Sequence, residues 1–283
     1  MIIELPIIII LSIIILIIGI LGNIAGFGGG ILVIPILTIL FNFPISIVIG
    51  TTLSALFFPA LIGSFKAWQR NEIDFKIALI FETPTIVGVF IGESLTERVD
   101  DVYLELIFGI IALLVSIFML RRIYIQSKEA ETPVPSKFWK RISSVPPMIG
   151  IENESYSYKL SLPFTIVMGF IVGILAGLLG IGGGWLKAPI LVIGFGLPPI
   201  IASGTALFMI TITASVGGLL HFLSSNWDLT IFLLLSINLS VGSIIGDKLK
   251  SKMNGDQVAL IISIVLGIIS VLELIYAYSD LTG

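Results

Sequence analysis

Long uninterrupted apolar runs dominate this chain, and its polar residues fall in short clusters between them. A bilayer core of about 30 Å needs roughly 20 helical residues. Apolar segments of that length lie near residues 5–25, 45–66, 76–94, 103–122, 161–180, 199–222, 228–247 and 257–278, predicting eight spanning helices. Two further segments, Ile31–Phe43 and Trp185–Leu197, reach only about half a span. Each contains a proline (Pro35, Pro189) and directly follows three consecutive glycines. Glycine triplets are poor helix formers, and in lipid a broken backbone is tolerated only where protein or a water-filled cavity covers it. These short segments are predicted to be half-helices or re-entrant pieces that begin within the membrane.

The triplets belong to a repeat. Gly26-Phe27-Gly28-Gly29-Gly30 with Pro35 recurs as Gly180-Ile181-Gly182-Gly183-Gly184 with Pro189, 154 residues on. The same offset carries Pro44 onto Pro198, Gly50-Thr51 onto Gly204-Thr205, Asp74 onto Asp228, and Gly88 and Gly92 onto Gly242 and Gly246. An ungapped match from Gly22–Leu95 onto Ala176–Leu249 argues for internal duplication. Between the copies lies the one sizeable polar stretch, Pro-rich and of mixed charge. The division is therefore residues 1–122 as a first transmembrane repeat, 123–160 as a polar cytoplasmic linker, and 161–283 as a second repeat.

Loop charges predict how the repeats are oriented. Lys66, Arg70 and Lys76 follow one span of the first half, whereas the equivalent loop near His221–Thr230 has no Lys or Arg. The loop near Leu95–Val102 is mainly acidic, whereas its counterpart carries Lys248, Lys250 and Lys252. Lys and Arg mark the cytoplasmic side, so the halves are expected to be inverted. Inversion needs an odd number of segments per half. The predicted fold class is thus an all-α membrane protein of two inverted repeats of about five segments each, with interrupted half-helices at the Gly-rich motifs and outside termini. Four spans per half plus a surface dip would make the repeats parallel.

Composition agrees with a multi-pass protein of the cell membrane. Only 12% of residues are charged and mean hydropathy is +1.14, against about 25% charged in soluble domains. The N-terminus has no Lys or Arg before its apolar run and no Ala-x-Ala-like site after it, so that run reads as a retained helix. The net charge of -3 points to no nucleic-acid partner. Without cysteine, and with His221 as the single histidine, no metal site or other cofactor is expected.

Candidate chemistry gathers at the triplets. A helix N-terminus presents unpaired N–H donors and about half a positive charge, and glycine lets a ligand approach because no Cβ intervenes. Gly28, Gly29, Gly30, Gly182, Gly183 and Gly184 could therefore line a site for a small anion, each helix end contributing about 1–2 kcal/mol. The same spacing also suits close helix packing, the better reading for Gly88/Gly92 and Gly242/Gly246. Lys187 lies one turn beyond the second triplet, where the first half has Val33. A mid-bilayer cation costs about 2.5–3.5 kcal/mol, so Lys187 is a candidate counter-charge unless it snorkels to an interface. Thr51 and Thr205, and Asn23 before the first triplet, could hydrogen-bond an oxyanion; the hydroxyls could equally bond their own helices. Glu82, in mid-span opposite Ser236, could carry a coupling proton or serve as a neutral structural group. His221, ending a span, is a proton-relay candidate or an interfacial histidine.

Gly26-Phe27-Gly28-Gly29-Gly30 with Pro35, and Gly177 through Gly184 with Lys187 and Pro189, resemble the sulfite exporter TauE/SafE family. The likeness covers nearly the whole chain apart from the linker. It implies a permease of two related halves that moves small sulfur-containing anions such as sulfite, sulfoacetate or related organosulfonates, often outward. The binding role would fall on the six triplet glycines and Lys187, although a site with Val33 on one side cannot be symmetric in charge. The expected reading is a secondary transporter whose partners are a small anion and the bilayer, with a passive anion channel or a membrane assembly protein as alternatives. No span holds paired acids or a Ser/His arrangement with catalytic spacing, which argues against an enzyme.

Overall fold

A computed structural model of the chain describes residues 5–25, 28–126, 144–152, 156–224, 227–250 and 255–282. Part of the expected linker and the Gly26-Phe27 pair lie outside the described residues. Helix α1 is Leu5–Ala25 and α2 is Gly30–Pro35, which widens into a π-helical stretch at Ile36–Leu40. Then come α3 (Ile45–Ala55), α4 (Phe57–Gln69), α5 (Phe75–Thr96) and α6 (Asp101–Gln126). After a two-stranded hairpin, α7 is Leu162–Leu179, and α8 is Gly184–Pro189 with its own π-helical stretch at Ile190–Gly194. The chain closes with α9 (Pro199–Leu223), α10 (Leu229–Lys250) and α11 (Gly255–Thr282).

The 154-residue repeat is written into these boundaries. Gly30 and Gly184 begin the short helices, Ile45 and Pro199 the next segments, Phe75 and Leu229 the next, and Asp101 and Gly255 the last. Both short helices switch to π geometry directly after the matched proline, which has no N–H to give the preceding turn. Both are followed by a left-handed residue at equivalent positions, Asn42 (φ 51°) and Gly196 (φ 74°).

The span expected at residues 45–66 is present as one membrane-long stretch, but it is interrupted by a turn at Leu56 where α3 and α4 meet, whereas the equivalent α9 is continuous. Pro59 accounts for the difference: lacking an N–H, it leaves the carbonyl of Ala55 without its helical donor. Thr213 stands at the equivalent place in α9. Among the described residues, seven helical stretches are long and apolar enough to cross a membrane, α3 and α4 together making one of them. The shorter apolar helices are Gly30–Leu40, Gly184–Gly194 and the Ser263–Ser279 part of α11.

The halves hold each other through reciprocal contacts. Helix α5 packs on α7, α1 packs on α10, and α6 packs on its equivalent α11. A Cβ on Gly88 would strike the Phe170 carbonyl and come within 2.9 Å of Gly173 Cα. A Cβ on Gly242 would stand 2.6 Å from the Leu16 carbonyl and 2.8 Å from Gly19 Cα, the same contacts shifted by 154 residues. These glycines therefore do what their spacing suggested, bringing backbones together. The outer faces remain apolar: α5 exposes Leu79, Val87 and Phe90 while burying Glu82, Gly88 and Gly92.

A hairpin of Met148–Glu152 and Ser157–Ser161, paired from Met148↔Ser161 to Glu152↔Ser157, interrupts the otherwise helical fold within the region read as a linker. It docks through Tyr156 and Tyr158, whose hydroxyls donate to Asp74 Oδ2 at 3.1 and 2.9 Å. Burial first, and then the neighbouring Asp74 carboxylate, raise the Tyr158 phenol above its ordinary value.

Reciprocity makes a matched prediction. Gly88→Ala and Gly242→Ala should each cost about 1–3 kcal/mol through backbone displacement, seen as comparable drops in Tm of the detergent-solubilised protein. Gly150→Ala, whose Cβ would meet nothing within 4 Å, should leave Tm unchanged.

Candidate functional site

Each triplet turns the chain through left-handed geometry before its short helix. Gly28 and Gly29 have φ 77° and 85°, and the equivalent Gly182 and Gly183 have φ 65° and 70°. An L-residue there costs roughly 1–2 kcal/mol, so the triplets are needed for the breaks themselves. Gly30 and Gly184 then open the short helices, whose first N–H groups have no intrahelical acceptor.

Both triplets meet at one side chain. Leu56, fully buried at the α3–α4 turn, lies 3.6 Å from a Cβ built on Gly28, 2.6 Å from one on Gly30 and 3.4 Å from one on Gly182. Ile210, the equivalent of Leu56, stands 3.2 Å from the same Gly182 position. Leu56 thus touches both triplets, and Ile210 covers the second beside it.

Lys187 does not snorkel. Its side chain is completely buried, with Cε 3.3 Å from the Cβ position of Gly183. Its ammonium lies 3.1 and 3.0 Å from the two carboxylate oxygens of Glu82, which is also buried. Thr213 Oγ1 completes the group, accepting from Lys187 Nζ at 2.5 Å and donating to Glu82 Oε1. Helices α5, α8 and α9 each supply one member. Sequence reasoning treated Lys187 and Glu82 separately and missed Thr213 altogether. The signal for Thr213 was a hydroxyl in mid-span at the place where the other half has Pro59. At the first break the equivalent positions are Val33, Ser236 and Pro59, so only the second break carries charge.

The remaining candidates lie elsewhere. Thr51 Oγ1 accepts the N–H of Asp228 at 3.0 Å, and Thr205 Oγ1 accepts that of Asp74 at 2.9 Å. Asp74 and Asp228 in turn cap α5 and α10, accepting from Ile77 and Ile231 respectively. These hydroxyls therefore pin each half's helix to the other half's cap. Asn23 Nδ2 donates to Ser243 Oγ at 2.7 Å, joining α1 to α10. His221, in the last turn of α9, is wholly buried. Its Nε2–H donates to the Gly177 carbonyl at 3.0 Å, and Nδ1 has no partner among the described residues. A further buried carboxylate went unread: Glu273 accepts from Thr38, on the first π stretch, at 3.1 and 3.3 Å. Its signal was the one that flagged Glu82, an acid within an apolar span.

A cavity of about 410 Å³ opens between the α3–α4 turn, α9 and α10, lined by Phe57, Phe58, Ala214, Gly218, Trp227 and Phe232 among others. It contains none of the candidate residues, and its largely apolar wall offers little to an anion.

Comparison with known proteins identifies the family. The family model described as "Sulfite exporter TauE/SafE" matches residues 11–272. The chain belongs to the sulfite exporter TauE/SafE family. It is 30% identical over 268 residues to the "Probable membrane transporter protein YunE" of Bacillus subtilis, covering 92% of this chain and 94% of that protein. A "Probable membrane transporter protein" of Methanocaldococcus jannaschii is 28% identical over 276 residues, 92% of each chain. "Sulfite exporter TauE/SafE family protein 6" of Arabidopsis thaliana is 39% identical over 57 residues, 20% of this chain and 13% of that protein. No solved structure matches. As a TauE/SafE member the chain is a multi-pass membrane transporter and not an enzyme.

A buried ion pair that loses one partner typically costs about 3–5 kcal/mol, while removing both costs far less. Lys187→Met should therefore lower stability sharply, and adding Glu82→Gln should restore most of the loss. Thermal unfolding of the four proteins of this cycle tests the pairing, and a double variant no more stable than Lys187→Met would refute it.

Proposed function

We propose that this chain is a secondary transporter that exports a small sulfur-containing anion, such as sulfite or an organosulfonate. The anion is held between the N-termini of the short helices at the two triplets, with Lys187 as its counter-charge. The observation that carries this reading is a lysine buried directly behind one triplet in a member of the sulfite exporter family. A cation at that depth costs about 2.5–3.5 kcal/mol, and the duplicated scaffold does without one at Val33. Its presence is accounted for if the ligand is negative.

The transport cycle is alternating access between two inverted repeats, an arrangement known for sites built from discontinuous helices. Support comes from the opposite Lys/Arg bias of equivalent loops and from the reciprocal contacts between the halves. Leu56 packs against both triplets, so an anion touching both requires Leu56 to withdraw. The turn joining α3 and α4 at that residue supplies the place to bend.

Binding of sulfite, sulfoacetate, sulfate and taurine to the purified protein, followed by flux into proteoliposomes, tests the reading. At least one sulfur oxyanion should bind and move saturably, and Lys187→Ala should weaken it more than about tenfold, or 1.4 kcal/mol. Equal binding of every anion by Lys187→Ala would remove the counter-charge role. Ohmic single-channel currents would make the protein a passive anion channel.

A further inference from the structure

We infer that Glu82 is an internal substitute for the transported anion, so that the protein binds its substrate only by taking up a proton on Glu82. The inference rests on the anion-site reading above and adds the coupling ion and the residue that carries it.

The geometry is that of an occupied counter-ion site. Lys187 Nζ lies 3.0 and 3.1 Å from both oxygens of Glu82, and Thr213 closes the third side. An incoming oxyanion would need this same ammonium. If Glu82 remained charged, two anions would share one buried cation, which so dry a site disfavours. A proton bound to a Glu82 carboxylate oxygen removes that conflict. The ammonium is released to the substrate, and the neutral acid can still hydrogen-bond Thr213. A monoanion then leaves the net charge of the site at zero, as before, and a dianion such as sulfoacetate leaves it one unit negative instead of two, so proton and substrate enter together and leave together.

Among the described residues, no other ionisable group is placed to do this. Helix α7, packed along α5, contains none. Helix α9 contributes Thr213 at this level, and its His221 lies eight residues further on, about 12 Å along the helix. On α5 itself Lys76 and Glu93 stand six and eleven residues away, roughly 9 and 16 Å. Near the start of α5, Tyr156 and Tyr158 are bonded to Asp74. Lys187 is the charged residue of α8 and the one facing Glu82.

Titration calorimetry of the detergent-solubilised protein with sulfoacetate and with sulfite, in two buffers of different ionisation heat, counts protons taken up per anion bound. The expected difference between wild type and Glu82→Gln is about one proton, a subtraction that cancels protons exchanged by the ligand itself. Wild-type affinity for sulfoacetate, fully ionised near neutral pH, should weaken about tenfold per pH unit once Glu82 is mostly ionised, because only the protonated fraction is competent. Glu82→Gln should bind more tightly than wild type at high pH and show a flat profile. If that variant does not fold, the proton count with sulfoacetate on wild type decides alone. An anion that binds with no proton uptake and no pH dependence overturns the exchange while leaving the anion site standing. If neither anion binds at any pH, the anion site itself fails and the exchange falls with it.

Discussion

Backbone that leaves helical geometry inside a bilayer finds no water, so protein must cover it. That constraint organises this fold. A Cβ on Gly29 would stand 3.0 Å from the Ile18 carbonyl. One on Gly180 would run into the backbone of Ile49 in the opposite half. Gly182 faces Leu53 and Leu56 from the first half and Ile210 from its own. The second break is thus covered from both halves, which the packed pairs α5–α7 and α1–α10 hold together. The paired threonines extend it: Thr51 and Thr205 each satisfy an amide at the other half's helix cap.

The duplicated scaffold and the chemistry are separable. Where the halves agree they build the same turn, the same π stretch after the same proline and the same glycine contacts. Where they differ, at Val33 against Lys187, Ser236 against Glu82 and Pro59 against Thr213, the second half supplies Lys187 and Thr213 to a charged, hydrogen-bonded group, and the first supplies Glu82 to it and carries a bend. The bend falls at Leu56, the side chain that touches both triplets.

Much of the scaffold was legible in the sequence because helix length and glycine placement are dictated locally. The matched prolines and the apolar segments cut to half length announced the short helices, and they begin at Gly30 and Gly184. The packing of Gly88 and Gly242 could be read from their spacing alone. What escaped depends on which helices become neighbours. Nothing in Ile210–Thr213 says that its last hydroxyl meets a carboxylate 131 positions earlier. Asn23 looked available beside a triplet, but α10 brings Ser243 within 2.7 Å of it. Pro59 was visible and its effect on the span was not drawn out. The hairpin at residues 148–161 owes its place to Asp74, a partner far away in sequence.

The account centres on one ammonium serving an internal anion and an external one in turn. An anion-bound structure of the full chain, determined with sulfite or sulfoacetate, tests this most directly. The account predicts an oxyanion within hydrogen-bonding distance of Lys187 Nζ, Glu82 turned away from it, and the Leu56 side chain withdrawn from between the triplets. A bound substrate elsewhere in the membrane, with Lys187 still paired to Glu82, would contradict it.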